Sequence, residues 1–258
     1  ASDVYKRQGV TMNLKVPASL NPEESIGWCP GCGHGIIMRM LAECVQELGL
    51  DEKMILVEDV ACGSLGQFVV SWNSIGAAHG RPIIVAAGAK RVRPNDIVVA
   101  HPGDGSAYSI GMESTIHCAL RNENILALVV NNCVFGMTGG QMSPESLPGQ
   151  KTTSSPFGRD ININGHPFDV VKTLREYDIA YLARGSVSTP AHVLSAQKMI
   201  KKALQKQLNG EGFCLVEILS PCPTNWGFPD DRAYQALSYM REHQEKFYEL
   251  GEFIDKGE

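Results

Sequence analysis

An aspartate held between two glycines, Gly103-Asp104-Gly105, is followed one βαβ unit downstream by an asparagine pair, Asn131-Asn132. A carboxylate and a neutral amide oxygen are hard ligands suited to Mg²⁺, which takes one or two protein carboxylates and draws its other ligands from phosphate and water. Glycines on both sides of Asp104 let the backbone approach a diphosphate, and a helix starting just after them would point its N-terminus at the anion. The tripeptide alone reads better as a turn that ends a strand; the asparagine pair downstream reverses the balance toward a ligand site. Cysteines form a second constellation. Cys29-Pro30-Gly31-Cys32-Gly33-His34 is a C-x-x-C turn able to aim two thiolates at one metal, and Cys62 and Cys222 stand at loop positions after strands. Four cysteines on one side of a sheet fit a Cys₄ site. Spacing does not separate a structural zinc from an iron–sulfur cluster, while a thioredoxin-like dithiol would leave Cys62 and Cys222 unexplained. Cys44, Cys118 and Cys214 read as small buried hydrophobes, and Cys133 as a packing residue.

The elements that must position these groups follow from the apolar pattern. Residues 97–101 and 125–130 are short apolar runs that read as buried parallel strands, with a crossover helix over 109–121 between them. Asp104 and Asn132 then sit at the carboxyl ends of two strands, where open α/β sheets bind ligands. Further strands are expected over 54–57, 179–183 and 213–218. An amphipathic helix over 36–48 ends at Gly49, and another runs from Thr189-Pro190 to about Leu208, with Thr189 or Ser188 as cap. Residues 83–89 suit a helix or a buried run, and a last helix is expected over 231–250. The stretch 139–165 has little periodicity and reads as a functional or interface loop. The fold class is therefore α/β, a mostly parallel sheet flanked by helices. Residues 1–8 read as an unstructured or appended leader and 9–258 as a single domain.

Composition narrows the function. A 258-residue chain with net charge −5 gives no electrostatic reason to expect nucleic acid or an anionic membrane as partner. The cluster Lys90-Arg91-Val92-Arg93 reads as a solvated helix end or an interface patch. No apolar run reaches membrane-spanning length and no secretory signal is evident, so the expected location is cytoplasmic. Eight cysteines without such a signal point to metal or redox chemistry in a reducing compartment.

The GDG–NN pair continues into Val134-Phe135-Gly136-Met137-Thr138-Gly139-Gly140-Gln141, and this combination resembles the diphosphate-binding half of thiamine diphosphate enzymes. With the four cysteines, His79-Gly80-Arg81 and Cys222-Pro223-Thr224-Asn225-Trp226, the stretch from Trp28 to Trp226 resembles the β subunit of 2-oxoacid:ferredoxin oxidoreductases. The resemblance implies that Asp104 and Asn132 give side-chain oxygens, and Val134 its carbonyl, to Mg²⁺. It places Gly103, Gly105, Gly136, Met137, Thr138, Cys62, Gly63 and His79 around thiamine diphosphate, and makes Cys29, Cys32, Cys62 and Cys222 the ligands of one [4Fe–4S] cluster. His79 reads equally as a buried structural histidine. The implied reaction is coenzyme A-dependent oxidative decarboxylation of a 2-oxoacid, branched-chain or 2-oxoglutarate, with reduction of ferredoxin. The implied partners are an α subunit holding the pyrimidine-contacting glutamate and the coenzyme A site, with γ and ferredoxin-like δ subunits, so the lone chain is expected to be inactive. Ser106-Ala107 and Pro82 depart from the family pattern without touching a ligand position. Two alternatives stay open: a non-oxidative thiamine-dependent decarboxylase or synthase with structural zinc, and a non-catalytic electron-transfer subunit.

Overall fold

Strands covered by helices on both faces carry near-continuous apolar sequence, and the central strands here do so. The computed structural model describes residues 16–21 and 27–257; the expected leader at 1–8 lies outside the described residues. The strands are β1 (Met54–Asp59), β2 (Asn73–Ala77), β3 (Ile97–His101), β4 (Leu126–Asn131), β5 (Val134–Phe135), β6 (Gln141–Met142), β7 (Tyr181–Ser186), β8 (Cys214–Leu219) and β9 (Gly251–Asp255). Seven of them form one sheet in the order β2-β1-β3-β4-β8-β7-β9, parallel except for β9, and β5–β6 is a separate antiparallel hairpin.

Helices α1 (His34–Glu47) and α4 (Pro190–Leu208) cover one face, where Leu56, Val99, Leu128 and Val216 point. Helices α2 (Pro82–Val92) and α3 (Met112–Leu120) cover the other, against Val57, Val98, Ala127 and Leu215. Adjacent residues of each strand thus feed opposite cores, each buried Leu, Ile or Val contributing roughly 1.5–3 kcal/mol. Thr189 Oγ1 accepts from the His192 N–H at 3.2 Å and Pro190 opens α4, as its sequence leads one to expect. Arg91 pairs with Glu123 and Arg93 with Asp96 at the solvated end of α2. Among the described residues no helix is long and apolar enough to cross a membrane.

Two elements differ from the sequence reading. The crossover over 109–121 begins earlier, with a π turn at Ser106–Ile110, and breaks at Gly111 before α3. A Cβ on Gly111 would lie 2.3 Å from the Gly80 carbonyl oxygen, so the break lets the loop carrying His79 reach the sheet. The expected helix over 231–250 is instead a 3₁₀ turn (Asp230–Arg232), a short helix (Gln235–Tyr239), a π turn (Met240–Gln244) and one last turn (Glu245–Phe247), followed by β9. The π turn directs both Met240 and Gln244 inward, each fully buried, and Gln244 Nε2 donates to the Asn131 carbonyl at 2.9 Å.

Candidate cofactor site

The chain leaves β1 toward one edge of the sheet, to β2, and leaves β3 toward the other, to β4. Such a reversal opens a crevice at the strands' carboxyl ends. A cleft of about 320 Å³ lies there, lined by Cys62, Gly63, His79, Gly103, Asp104, Gly105, Asn132, Val134, Gly136, Met137 and Thr138, together with His34, Asp59, Ser106 and Phe135. All the residues expected around thiamine diphosphate therefore share one cavity. Gly105 is required by contact, because a Cβ there would sit 2.3 Å from the Phe135 ring.

Asp104 is buried, and its Oδ2 accepts from Ser143 Oγ at 2.6 Å. Burial pushes its carboxyl up to about 7, with the Ser143 hydroxyl opposing. Ionising it there costs about 4 kcal/mol relative to water, which an adjacent cation would offset.

The asparagine pair divides its work in a way the sequence does not reveal. Asn131 is an anchor: its Nδ2 donates to Glu217 Oε1 at 3.2 Å and its Oδ1 accepts from the Cys133 N–H at 3.2 Å. Cys133 adopts φ +59°, in the left-handed region that a non-glycine residue rarely occupies. The chain doubles back there, and Asn132 and Val134 both line the cleft while Cys133 is buried. Asn132 Oδ1 accepts from Val134 N–H at 3.2 Å, and Trp226 Nε1 donates to the Asn132 carbonyl at 3.1 Å.

The opposite wall is acidic. Asp59 is fully buried at the end of β1, with Oδ2 3.3 Å from His79 Nδ1 and Oδ1 accepting from Gly80 N–H at 3.3 Å. Burial raises its pKa, and His79, Ser106 and the Gly80 N–H oppose the rise. Behind it the buried Glu58 and His101 pair at 3.0 Å. Asp59, Ser106, Ser143 and His34 are site residues that the sequence reading did not assign. The available signal was Asp59 as the polar terminus of an apolar strand run.

The cysteines form the outer rim. Trp28 Nε1 donates to the Cys62 carbonyl at 2.7 Å, and Cys32 N–H to the Cys29 carbonyl at 3.1 Å. Cys32 Sγ lies 3.2 Å from His34 Nδ1. Burial pushes the Cys32 thiol up to about 12, the His34 backbone opposes, and Cys222, Cys62 and Cys29 each push it further. Cys62 rises to about 11 through burial and then through Cys222 and Cys29. In Cys222 burial again raises the pKa, while two hydrogen bonds from Asn225 oppose it. The four thiols are thus electrostatic neighbours. Among the described residues, however, no group of three or more His, Cys, Asp or Glu gathers tightly enough to hold a metal ion. The other four cysteines are buried, as expected for packing residues.

Residues 36–218 match the family described as thiamine pyrophosphate enzyme, C-terminal TPP binding domain. The chain is also 36% identical over 201 residues to the 2-oxoglutarate synthase subunit KorB of Methanocaldococcus jannaschii, covering 78% of this chain and 70% of that one. It belongs to the 2-oxoacid:ferredoxin oxidoreductase subunits that bind thiamine diphosphate. Within that family it is 36% identical over 255 residues to the ketoisovalerate oxidoreductase subunit VorA of Methanothermobacter thermautotrophicus, covering 98% of this chain and 51% of that one. The chain thus spans about half the length of that relative. A 2-oxoglutarate:ferredoxin oxidoreductase from Magnetococcus marinus, with 2-oxoglutarate, coenzyme A and succinyl-CoA bound, superposes with a TM-score of 0.75 at 26% identity, over 96% of this chain and 87% of that chain.

Proposed function

We propose that this polypeptide binds thiamine diphosphate–Mg²⁺ and a [4Fe–4S] cluster and takes part in coenzyme A-dependent oxidative decarboxylation of a 2-oxoacid with reduction of ferredoxin. One observation carries the reading. A Cβ placed on Gly136 would lie 3.5 Å from Cys62 Sγ, 3.7 Å from Cys222 Sγ and 3.7 Å from Asn132 Nδ2, so the cysteine rim and the asparagine turn meet at one glycine. When bound, thiamine diphosphate supplies the electron sink for losing CO₂ and the cluster supplies a one-electron acceptor beside it.

The chain's own residues hold, orient and neutralise. Asp104 and Asn132 would give side-chain oxygens, and Val134 its carbonyl, to Mg²⁺. Ser143 and Glu217, through Asn131, hold those groups in place. Cys29, Cys32, Cys62 and Cys222 would hold the cluster as thiolates, whose mutual repulsion a cationic iron core relieves. His79 contacts Asp59 through Nδ1, which leaves Nε2 as the nitrogen to hold or deliver a proton in the cleft. In this reading the pyrimidine-contacting glutamate and the coenzyme A site would be supplied by an α subunit. The substrate we propose is a 2-oxoacid of the branched-chain or 2-oxoglutarate class, with part of its pocket contributed by the partner.

Iron, acid-labile sulfide and zinc assays on the anaerobically purified complex test the cluster. About four irons per chain with matching sulfide are expected; zinc without sulfide favours a non-oxidative enzyme. Viologen reduction with 2-oxoisovalerate, 2-oxoglutarate and pyruvate tests which 2-oxoacid is the substrate. Robust turnover by the lone chain would refute the need for a partner.

A further inference from the structure

One side chain touches both halves of the site. Asn225 Nδ2 donates to the Gly136 carbonyl at 2.9 Å and to Cys222 Sγ at 3.2 Å, so the two protons of one carboxamide serve two acceptors. Gly136 lies two residues beyond Val134 in the loop that lines the cleft. The same turn is tied down twice more: Trp226 N–H donates to the Cys222 carbonyl at 2.9 Å and Trp226 Nε1 to the Asn132 carbonyl at 3.1 Å. Space for the carboxamide is made by Gly140, at φ +81°, where a Cβ would lie 2.8 Å from Asn225 Oδ1. Gly140 N–H in turn donates to the Phe135 carbonyl at 2.8 Å and closes the loop.

Resting on the function proposed above, we infer that Asn225 is a positioning residue that couples the cluster's reduction potential to occupancy of the thiamine diphosphate site. An N–H donated to a ligating sulfur stabilises the more negative, reduced cluster and raises its potential. The carboxamide's other proton is held by a carbonyl of the cofactor loop. Fixing that loop with diphosphate and Mg²⁺ therefore fixes the N–H aimed at Cys222. Linkage makes the effect reciprocal: if cofactor raises the potential, reduction tightens cofactor binding by the same factor. The acceptor is then fully poised only when the donor cofactor is in place.

The test is a redox titration of the reconstituted complex, followed by electron paramagnetic resonance, with and without thiamine diphosphate–Mg²⁺. In the wild type the potential rises when cofactor is added. In Asn225→Leu the reduced-to-oxidised ratio at a fixed potential falls roughly tenfold, about 59 mV for a one-electron couple, and the cofactor-dependent rise disappears. Asn225→Asp, which replaces the donor with negative charge, goes lower still. Thiamine diphosphate affinity, which differs between oxidised and reduced wild type, becomes equal in the Leu variant. Gly140→Ala crowds the carboxamide without altering a sulfur, and shows the same loss of coupling if Asn225→Leu fails to assemble. Variants with full iron and sulfide whose potential still follows the cofactor overturn the coupling. A wild type without iron or sulfide removes the functional reading itself and this inference with it.

Discussion

The two halves of the site are built differently. Asp104 and Asn132 follow buried strands of the sheet, and hydrogen bonds from Ser143, Trp226 and Gln244, with one from Asn131 to Glu217, hold their turns. The cysteines come from separate loops, with Cys29 exposed and Cys32, Cys62 and Cys222 only half-buried. A strand end is placed by the whole sheet, whereas a loop thiol is placed by its own turn and by whatever it ligates. The diphosphate half is therefore preorganised by the sheet, whereas the cysteine half is held loop by loop through local hydrogen bonds, and a bound cluster would add to its order.

The sharpest way to break this contrast is to remove one ligand from each half. Asp104→Ala is expected to weaken thiamine diphosphate–Mg²⁺ binding at least 10³-fold, roughly 4 kcal/mol, while iron and sulfide content stays near wild type. Cys62→Ser is expected to do the reverse, losing the cluster while thiamine diphosphate affinity stays within about threefold. Calorimetry and metal analysis on both variants read the two effects separately. Loss of both groups in both variants would mean that the halves fold as one unit.

A deeper test targets what preorganises the diphosphate half. Arg184 is buried, pairs with Glu217 through Nε, reaches Asp169 Oδ1 at 2.8 Å through Nη2, and lies 4.9 Å from the centre of the Tyr248 ring. Glu217 in turn holds Asn131. Arg184→Met strands two carboxylates and should cost about 3–5 kcal/mol in urea unfolding, with weaker thiamine diphosphate binding through Asn131. An unchanged unfolding midpoint would show that the asparagine turn does not lean on this ion pair.

The same network predicts an acid limb of stability. Burial alone would raise the Asp169 pKa, but hydrogen bonding and charge from Arg184 win and hold it below the usual carboxylate value. A depressed folded-state pKa contributes stability that is present above the unfolded pKa, near 4, and is lost as pH falls through the lower folded value. Asp169→Asn should therefore cost about 1.5–2 kcal/mol at pH 7, with the gap to wild type closing below about pH 4. Chemical denaturation across pH 2.5–7 measures it; a gap that persists in acid would assign the loss to packing.

How much of this was legible in the sequence follows the same division. Strands covered on both faces announce themselves as apolar runs, so β3, β4 and the positions of Asp104 and Asn132 could be read directly. Edge strands carry no such signal. β2, Asn-Ser-Ile-Gly-Ala, is mostly exposed, and β9 is short and mixed, so neither was foreseen. The C-terminal helix was read too long because its polar pattern continues through a π turn that only contact with Asn131 and Cys133 explains. The C-x-x-C motif and the two later cysteines were visible as residues. Their approach to one another depends on loops whose course no periodicity encodes. Asp59 and Ser143 escaped because each acts through a partner distant in sequence.

Ser143 offers the finest probe of the contrast. It follows β6, is buried, and donates to Asp104 Oδ2 at 2.6 Å, while its own N–H donates to Ser146 Oγ at 2.9 Å. The hydroxyl is the only side-chain hydrogen-bond donor to Asp104 among the described residues, so it sets which carboxylate oxygen remains for a cation. Ser143→Ala leaves the charge of Asp104 in place and removes its orientation. Outer partners of this kind are worth about 10- to 100-fold in metal affinity. The lower end is expected here, because the sheet still fixes the Asp104 backbone. A Mg²⁺ titration of thiamine diphosphate binding should show affinity reduced about tenfold, with iron and sulfide unchanged. A loss as large as that of Asp104→Ala would mean that the strand end alone does not preorganise the carboxylate, and the contrast between the two halves would narrow accordingly.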